Sequence, residues 1–583
     1  MRKTKQNLCD AWAKHSITLF VAISLNILVF QAPVKAAPSS PNIILILADD
    51  MGIGDIKAIN SASKIPTPNL DKMISDGMYF TDAHSNSSVC TPTRYGIVTG
   101  RYAWRSSLKK GVLQSKSSHL IDLNRMTVAS MLKQKGYNTG VVGKWHLGLD
   151  WEDSNDWSKP FTGGPNELGF NYFYGISASL DMDPYAYLLN NKATQNTTST
   201  IAINPWPAFW RGGDVAPDFK MDEVMDSING HALSFIRNHV DSAPNQPFFL
   251  YLPFTGPHTP HIVPPRFKDK SQAGARGDLM YQCDWTVGNV IKLLDSLQIS
   301  ENTVVFFTAD NGAHSKTYRQ TGHTPHSNLK GQKADIYEAG HRVPLVVKWP
   351  GKIEKGVTSD ETVVTTDFMA TIAAIARYQL PNNAGEDSYS ILPVLMNRSY
   401  SKPLREASIH HSFDGTFAIR KGDWKLTVDN MGSGGFSNPK VKAGPGTLYN
   451  LSNDISEKKD MYSSDSAKVA ELRILLKKYK DEGRSTPLNR NDWLLPVGTA
   501  KPLAKTNYWK LKRTPSSIQV VLSSNSKYVV QLLTLKGQKI VSLSGEGRVI
   551  NLSTQNLTMG LHLLQVEING QTYTKRVLIQ GKG

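Results

Sequence analysis

The chain has 583 residues, 40% of them hydrophobic and 20% charged, which excludes a disordered polymer and exceeds what one core usually supports, so two or three domains are expected. Its formal charge of +17 sits at the ends: residues 1–36 carry +4, residues 501–583 carry +10, and residues 37–500 only +3. That distribution gives no ground for a nucleic-acid-binding face, and it suits a polyanionic substrate or an anionic cell surface.

Arg2, Lys3 and Lys5 precede an apolar run over residues 17–30, followed by the small-residue stretch Val34-Lys35-Ala36. The pattern reads as a secretory signal peptide over residues 1–36, because a membrane span needs about 20 apolar residues and Asn26 interrupts this shorter run. Once it is removed, no transmembrane segment is expected, and the protein is secreted or held at the cell surface after export through the periplasm. Cys9 leaves with the signal. Of the remaining cysteines, Cys283 falls in the helical pattern Leu279, Cys283, Val287, Val290, Ile291 and Leu294 and reads as core. Cys90 has no such pattern.

Residues 42–48 (NIILILA) form a continuous apolar run, as expected of a strand buried on both faces in a parallel sheet, and the run ends in Asp49-Asp50. Thr67-Pro68 should open a helix that Gly77 closes. In Val89-Cys90-Thr91-Pro92-Thr93-Arg94 the chain should leave an extended segment and enter a helix, since proline suits a first helical turn. Cys90 then lies where free backbone N–H groups and the helix dipole favour an anion, and Arg94 can point its charge back at the same place. A helix over 127–135 stops at Gly136, and a strand over 137–142 delivers Gly143-Lys144-Trp145-His146-Leu147-Gly148. Residues 149–215 read as a substrate-side insertion. Trp151, Trp157, Tyr172, Tyr174, Tyr185, Tyr187, Trp206 and Trp210 there suggest aromatic stacking on sugars. A helix near 221–239, a strand over 247–252 ending at Gly256-Pro257-His258, the Cys283 helix, and a strand over 303–308 followed by Asp310 and Asn311 come next. A further strand is expected over 343–349.

Four apolar strands thus each deliver ionisable residues at their C-terminal ends, the edge of an open α/β sheet where ligands bind. One acidic residue there would be a helix cap; four strands behaving alike point to an active site. Asp49, Asp50, Asp310 and Asn311 offer hard oxygen donors, which suit Ca²⁺ or Mg²⁺ rather than zinc. Lys144, between a strand end and Trp145-His146, is badly placed for a surface charge; His258, between prolines, alone reads as packing in a turn, and Lys333 alone is uninterpretable. Jointly they supply fixed positive charge, as an anionic substrate requires around oxygens gaining charge in a transition state.

Cys90-x-Pro92-x-Arg94 resembles the signature of formylglycine-dependent sulfatases, the arylsulfatase family of the alkaline-phosphatase-like superfamily. The resemblance extends to the Lys144–His146 string and to Lys333 in GQKADIYEAG, spanning residues 42 to about 350 in the family's order. Thr93 replaces the more usual Ser or Ala, and Ala339-Gly340 replaces a common Gly-Gly; neither change removes a group the mechanism uses. The resemblance implies an alkaline-phosphatase-like mixed sheet flanked by helices, a catalytic domain over residues 37–402, and oxidation of Cys90 to Cα-formylglycine (3-oxoalanine). The oxidation requires a formylglycine-generating or anaerobic maturase enzyme as partner. It implies Asp49, Asp50, Asp310, Asn311 and the modified Cys90 as ligands of one Ca²⁺, with Mg²⁺ possible. It also implies Asp310 as a base and His258, with Lys333, as the acid on the leaving oxygen. Arg94 and Lys144 would hold sulfate oxygens, His146 would be a second base, and Ser179 would be a sulfate contact. The implied activity is hydrolysis of sulfate esters of a glycan, algal or glycosaminoglycan. The alternative is a formylglycine-dependent phospho- or phosphonate-ester hydrolase of the same superfold.

Residues 403–488, with four short strands and a helix near 465–481, resemble the small antiparallel subdomain that closes sulfatases. Residues 489–514, in a stretch with four prolines after Arg484 and without period, read as a linker. Residues 515–583 alternate apolar and polar positions between Gly and Asn turns, as a separate small β-sandwich should. The strings KGQKIVSL and MGLHLLQVEING in it resemble a type IX secretion sorting domain, which implies that secretion machinery as partner. An accessory carbohydrate-binding module is the alternative.

Overall fold

The computed structural model describes residues 40–489 and 509–579, apart from 154–155, 207, 316–320, 399, 401–402, 438–442, 515–516, 535–537, 555–556, 558–559 and 569–570. The expected signal peptide lies outside the described residues. No helix among the described residues is long and apolar enough to cross a membrane. The chain divides into two compact units, residues 1–495 and 496–583.

In the first unit the elements that position the site are β1 (Asn42–Ala48), α1 (Pro68–Asp76), α2 (Cys90–Thr99), α3 (Val128–Gln134), β2 (Asn138–Lys144), β3 (Tyr172–Ile176), α4 (Val224–Ser242), β4 (Phe248–Pro253), α5 (Gly274–Ser296), β5 (Thr303–Ala309) and β6 (Leu345–Lys348). They belong to a ten-stranded mixed sheet whose centre runs β6-β5-β1-β4-β2-β3, with short strands extending both edges. The five strands from β5 to β3 are parallel and β6 is antiparallel. All seven residues of β1 are buried, as a strand covered on both faces requires, and each large apolar side chain so buried contributes about 1.5–3 kcal/mol. α1 ends at Gly77 and α3 begins at Thr127, whose hydroxyl accepts from Ser130 N. Cys283 is fully buried within α5.

The insertion differs from the expectation of a sugar-stacking surface. β3 carries Tyr172 and Tyr174 into the central sheet, and Trp157, Tyr174, Tyr185 and Tyr187 are buried. Trp151 packs edge-on against Trp157 and Phe161 rather than facing a ligand. These rings are core because the insertion must cover the edge of the sheet. Trp206 alone of the eight lines the cavity described below.

A four-stranded antiparallel sheet, β7 (Ser408–His411), β8 (Phe417–Lys421), β9 (Trp424–Val428) and β10 (Gly446–Asn450), follows and packs with α6 (Ser466–Asp481) around Ile409, Ile419, Leu426, Leu448 and Leu472. Tyr102 and Trp104, just beyond α2, join the same cluster, so this sheet shares its core with the site-bearing layer.

The second unit is antiparallel: β11 (Trp509–Thr514), β12 (Ser517–Leu533), β13 (Lys539–Ser553), β14 (Gly560–Ile568) and β15 (Gln571–Ile579). Residues 509–514 were expected within a linker and are instead a strand pairing with β12. β13 pairs along most of β12 with a register shift between Val521 and Ser526, while β11 and β14 take the two halves of β12's other edge. The two halves share one apolar cluster, including Ile518, Val530, Ile550 and Val566, so the unit is one bent sheet closed on its own core.

Candidate active site

The parallel strands bring their C-terminal ends to one place. Asp49 and Asp50 follow β1, Asp310 and Asn311 follow β5, Lys144 ends β2, and His258 lies five residues beyond β4. Backbone bonds knit the edge together: Asp49 N donates to Gly256 O (3.0 Å) and Asp310 N to Ala48 O (3.1 Å). Asp50 N donates to Asp310 Oδ1 (3.2 Å). Asp50 and His146 adopt left-handed backbone conformations, φ 65° and 58°, which non-glycine residues enter at a cost and which cluster at functional sites. Gly143 is required where it stands, since a Cβ there would lie 1.9 Å from Pro253 O on the neighbouring strand.

Cys90 is the first residue of α2, with its Sγ 3.7 Å from Asp49 Oδ1. Arg94, fully buried one turn on, donates from Nε and Nη2 to Asp310 Oδ2 (3.1 and 2.8 Å) and from Nη1 to Lys144 O (2.9 Å). Lys144 Nζ donates to Asp49 Oδ2 (2.5 Å) and to Ser179 Oγ (2.7 Å). Lys333 Nζ lies 2.7 Å from the Asp50 carboxylate. Three buried carboxylates therefore face three buried cations. Such a cluster is tolerated inside a protein because each charge has a hydrogen-bonded partner.

Electrostatics distinguishes the members. Burial drives Asp49 and Asp50 upward, yet Lys144 and Lys333 respectively, helped by His258, hold both below the usual carboxylate range. Asp310 goes the other way: burial, with the neighbouring Asp49, raises it to about 6. Burial pushes the Cys90 thiol up to about 12, so at neutral pH the unmodified side chain is no thiolate nucleophile. His146 is held well below its ordinary value by burial and by Lys144 and Arg94. The ring is neutral, its Nε2–H donates to Leu113 O (2.9 Å), and its buried Nδ1 has no partner and keeps a free lone pair. The Nδ1 of His258 is engaged with Thr259 O (2.8 Å), which leaves Nε2 facing Ser179 Oγ (3.5 Å) and Asp50 Oδ2 (3.7 Å).

Asp49, Asp50, Cys90 and His258 bring ligand atoms within 4.8 Å of one another. Asn311 spends its Nδ2 on Asp50 Oδ1 (2.7 Å) and Gly312 O (2.9 Å), which leaves its buried Oδ1 without a partner. An orphaned amide oxygen among carboxylates fits a hard dication.

All eleven residues singled out from sequence meet in this one region. The cavity above them, about 290 Å³, is also lined by residues that sequence reasoning missed: Asp181, Arg211, His314, Phe413 and Phe436. Asp181 stands two positions after Ser179 and could have been found by that proximity; Phe413 and Phe436 arrive from the antiparallel subdomain with no periodic signal.

The sequence matches the family model described as Sulfatase over residues 41–378, and the model for the C-terminal part of N-sulphoglucosamine sulphohydrolase over residues 332–482. The chain belongs to the sulfatase family. This sulfatase hydrolyses sulfate esters, as do the relatives it aligns with. It is 34% identical over 485 residues to the N-acetylgalactosamine-6-O-sulfatase of Bacteroides thetaiotaomicron, covering 76% of this chain and 93% of that one. It is 31% identical over 465 residues to human arylsulfatase A, covering 76% and 87%. A solved structure from the metabolism of multiple glycosaminoglycans by Bacteroides thetaiotaomicron superposes with a TM-score of 0.69 at 34% identity, covering 76% of this sulfatase and 99% of that chain. A phosphonate monoester hydrolase of Agrobacterium radiobacter, at 17% identity and a TM-score of 0.51 over 76% and 96% of the two chains, shares the fold alone.

Proposed function

We propose that this sulfatase is an exported enzyme that removes sulfate from a glycan of the glycosaminoglycan kind, using a Cα-formylglycine made from Cys90 and one divalent cation, Ca²⁺ or Mg²⁺. The observation that carries the formylglycine is Cys90 itself. It heads a buried helix within reach of Asp49, in surroundings that keep a plain thiol protonated and inert. The choice of glycan rests on the relative named for N-acetylgalactosamine 6-O-sulfate. Export rests on the leader at residues 1–36. The sorting role of the second unit, and with it the type IX machinery as partner, rests on the two sequence strings quoted above.

Asp49, Asp50, Asp310 and the Oδ1 of Asn311 would hold the cation, which supplies positive charge to the oxygens of a bound sulfate. The formylglycine supplies the attacking oxygen that a thiol at this position cannot. The chain's own residues do the rest. Lys144 and Lys333, fixed by Asp49 and Asp50, present preorganised ammonium groups to sulfate oxygens, and Ser179 adds a hydroxyl held by Lys144. Arg94 sets the position of Asp310 and of the Lys144 backbone at once. Asp310, raised towards neutrality, accepts a proton from the attacking oxygen. As the imidazolium, with its Nδ1–H given to Thr259 O, His258 would hand the proton on Nε2 to the departing sugar oxygen, and the free Nδ1 of neutral His146 accepts one when sulfate is released.

The test is the mass of the Cys90 peptide from protein matured in a host with the maturase, together with Cys90→Ala. The expected result is conversion of the thiol to the aldehyde, and loss of sulfate release in a variant that unfolds at the same temperature. An unmodified thiol in fully active protein would refute the reading. Rates on the sulfate and phosphate esters of one aryl alcohol separate it from a phosphoester hydrolase.

A further inference from the structure

Around the mouth of the cavity runs an unbroken arc of rings. Phe209 stacks on Trp206 (centroids 5.8 Å apart, planes 13° from parallel), and Trp206 meets His314 at 5.8 Å. His314 meets Phe436 at 5.2 Å, and Phe436 meets Phe413 at 5.5 Å. Trp206, Phe413 and Phe436 are 41%, 37% and 39% exposed, high values for apolar side chains clustered in one patch. The rings come from three distant parts of the chain, yet the two phenylalanines are tied to the segment that bears Lys333. Phe413 N donates to Ala334 O (3.0 Å) and Ser437 N to Asp335 Oδ1 (3.0 Å). Their faces are held before any ligand arrives, which lowers the ordering cost of binding.

Two further observations indicate what the arc is for. The cavity beneath it, about 290 Å³, is at the lower end of the range for small-molecule sites, and it takes one substituted sugar ring rather than a chain. Beside it Asp181, 4% exposed, pairs through Oδ2 with Arg211, while its buried Oδ1 accepts no hydrogen bond and has His258 Nδ1 as its ionic neighbour at 4.0 Å. A carboxylate oxygen that accepts no hydrogen bond in a ligand cavity suits a hydroxyl or amide N–H, which a sugar offers and an aryl or steroid skeleton lacks.

We propose that the arc of Trp206, His314, Phe436 and Phe413 is a stacking subsite for the sugar next to the sulfated one, so that the enzyme is built for oligosaccharides and not for isolated sulfated monosaccharides. The inference rests on the glycan reading above and deepens it. A pyranose ring presents an apolar C–H face to an aromatic face, and the next sugar of a chain leaving the cavity has to cross this rim.

The full-length matured enzyme and its Phe413→Ala/Phe436→Ala variant are compared on a 6-O-sulfated hexosamine, on a tetrasaccharide ending in that same residue, and on para-nitrophenyl sulfate. Both side chains are partly exposed, and the unfolding temperature is checked to be unchanged. The expected result is a fall of at least ten-fold in the ratio of kcat/KM for tetrasaccharide over monosaccharide, expressed in KM, while Phe436→Tyr keeps the ratio. An unchanged ratio overturns the subsite, as does an equal loss on para-nitrophenyl sulfate, which would make the arc an apolar-aglycone site. Release of sulfate from the aryl ester but from neither sugar overturns the glycan reading and the subsite with it.

Discussion

Replacing Arg94 by lysine keeps the charge and removes the fork. The guanidinium is fully buried and donates three hydrogen bonds, two to Asp310 Oδ2 and one to Lys144 O. An ammonium at the end of a lysine stem can replace one of them, because its donors do not diverge as a planar fork does. The two lost bonds involve a charged donor in a place water does not reach, and each is worth about 1.5–3 kcal/mol, so Arg94→Lys should destabilise the fold by roughly 3–6 kcal/mol. Asp310 and the end of β2 lose their common tether, and a displacement of about 1 Å at reacting groups costs on the order of a hundred-fold in rate. The assay is thermal unfolding beside sulfate release from para-nitrophenyl sulfate, normalised to the fraction of Cys90 converted, so that poor maturation is not read as poor catalysis. A variant that unfolds at the wild-type temperature, with kcat/KM within three-fold of it, would refute the assignment of Arg94 as the bolt between these two strand ends.

Two other outcomes follow from the same structure. Calcium should raise the unfolding temperature of the wild type, by the equivalent of about 2.7 kcal/mol at a hundred times Kd. Asn311→Ala, which deletes the orphaned Oδ1, should abolish most of that rise, and an undiminished calcium effect would remove Asn311 from the ligand set. Acid should destabilise the protein between pH 6.5 and 4. Burial holds His84, His341 and His410 below their ordinary 6.5 and brings His411 to about 4. The unfolded chain takes up these protons near 6.5 and the folded chain does not, so stability is complete above 6.5 and falls as the pH drops. His411 alone accounts for roughly 3 kcal/mol by pH 4. Urea midpoints that stay level across that window would contradict the burial of these rings.

The chemistry-bearing half of the site was legible because it is written at strand ends. Each apolar run ends where the strand leaves the sheet, and the next ionisable residue has to stand at the ligand edge; Asp49 after Asn42–Ala48 and Asp310 after Thr303–Ala309 are cases of one rule. Cys90 was legible as a helix start because Pro92 restricts where the first turn can lie. The substrate-facing half was not. Trp157, Tyr185 and Tyr187 have the composition of a sugar platform, but the insertion has to cover the β3 side of the sheet, and burial there took the rings. Phe413 and Phe436 look like ordinary loop residues, and only the closing of β7–β10 against the main sheet's layer brings them to the cavity. Residues 509–514 lie in a stretch that reads as a linker for its prolines and lack of period, and what makes them a strand is the partner β12, which no local pattern announces.

The charges explain why these two halves separate. Asp49, Asp50 and Asp310 are answered by Lys144, Lys333 and Arg94, while Cys90 and His146 are held neutral. The chain alone thus offers a sulfate ester a site in which three carboxylates and three cations cancel, with each cation already hydrogen-bonded to a carboxylate. With a cation held as proposed, the added positive charge would strengthen binding of the anion beside Lys333 and His258, both of which line the cavity, and those same groups would bind any sulfate or phosphate ester. Selection among esters is left to the rim, where Asp181 and the rings would meet a sugar if the proposed subsite holds. A floor fixed by electrostatic pairing leaves a pattern at strand ends that can be read in one dimension. A rim fixed by the shape of its substrate is assembled from loops, and its residues can be found only after the chain has folded.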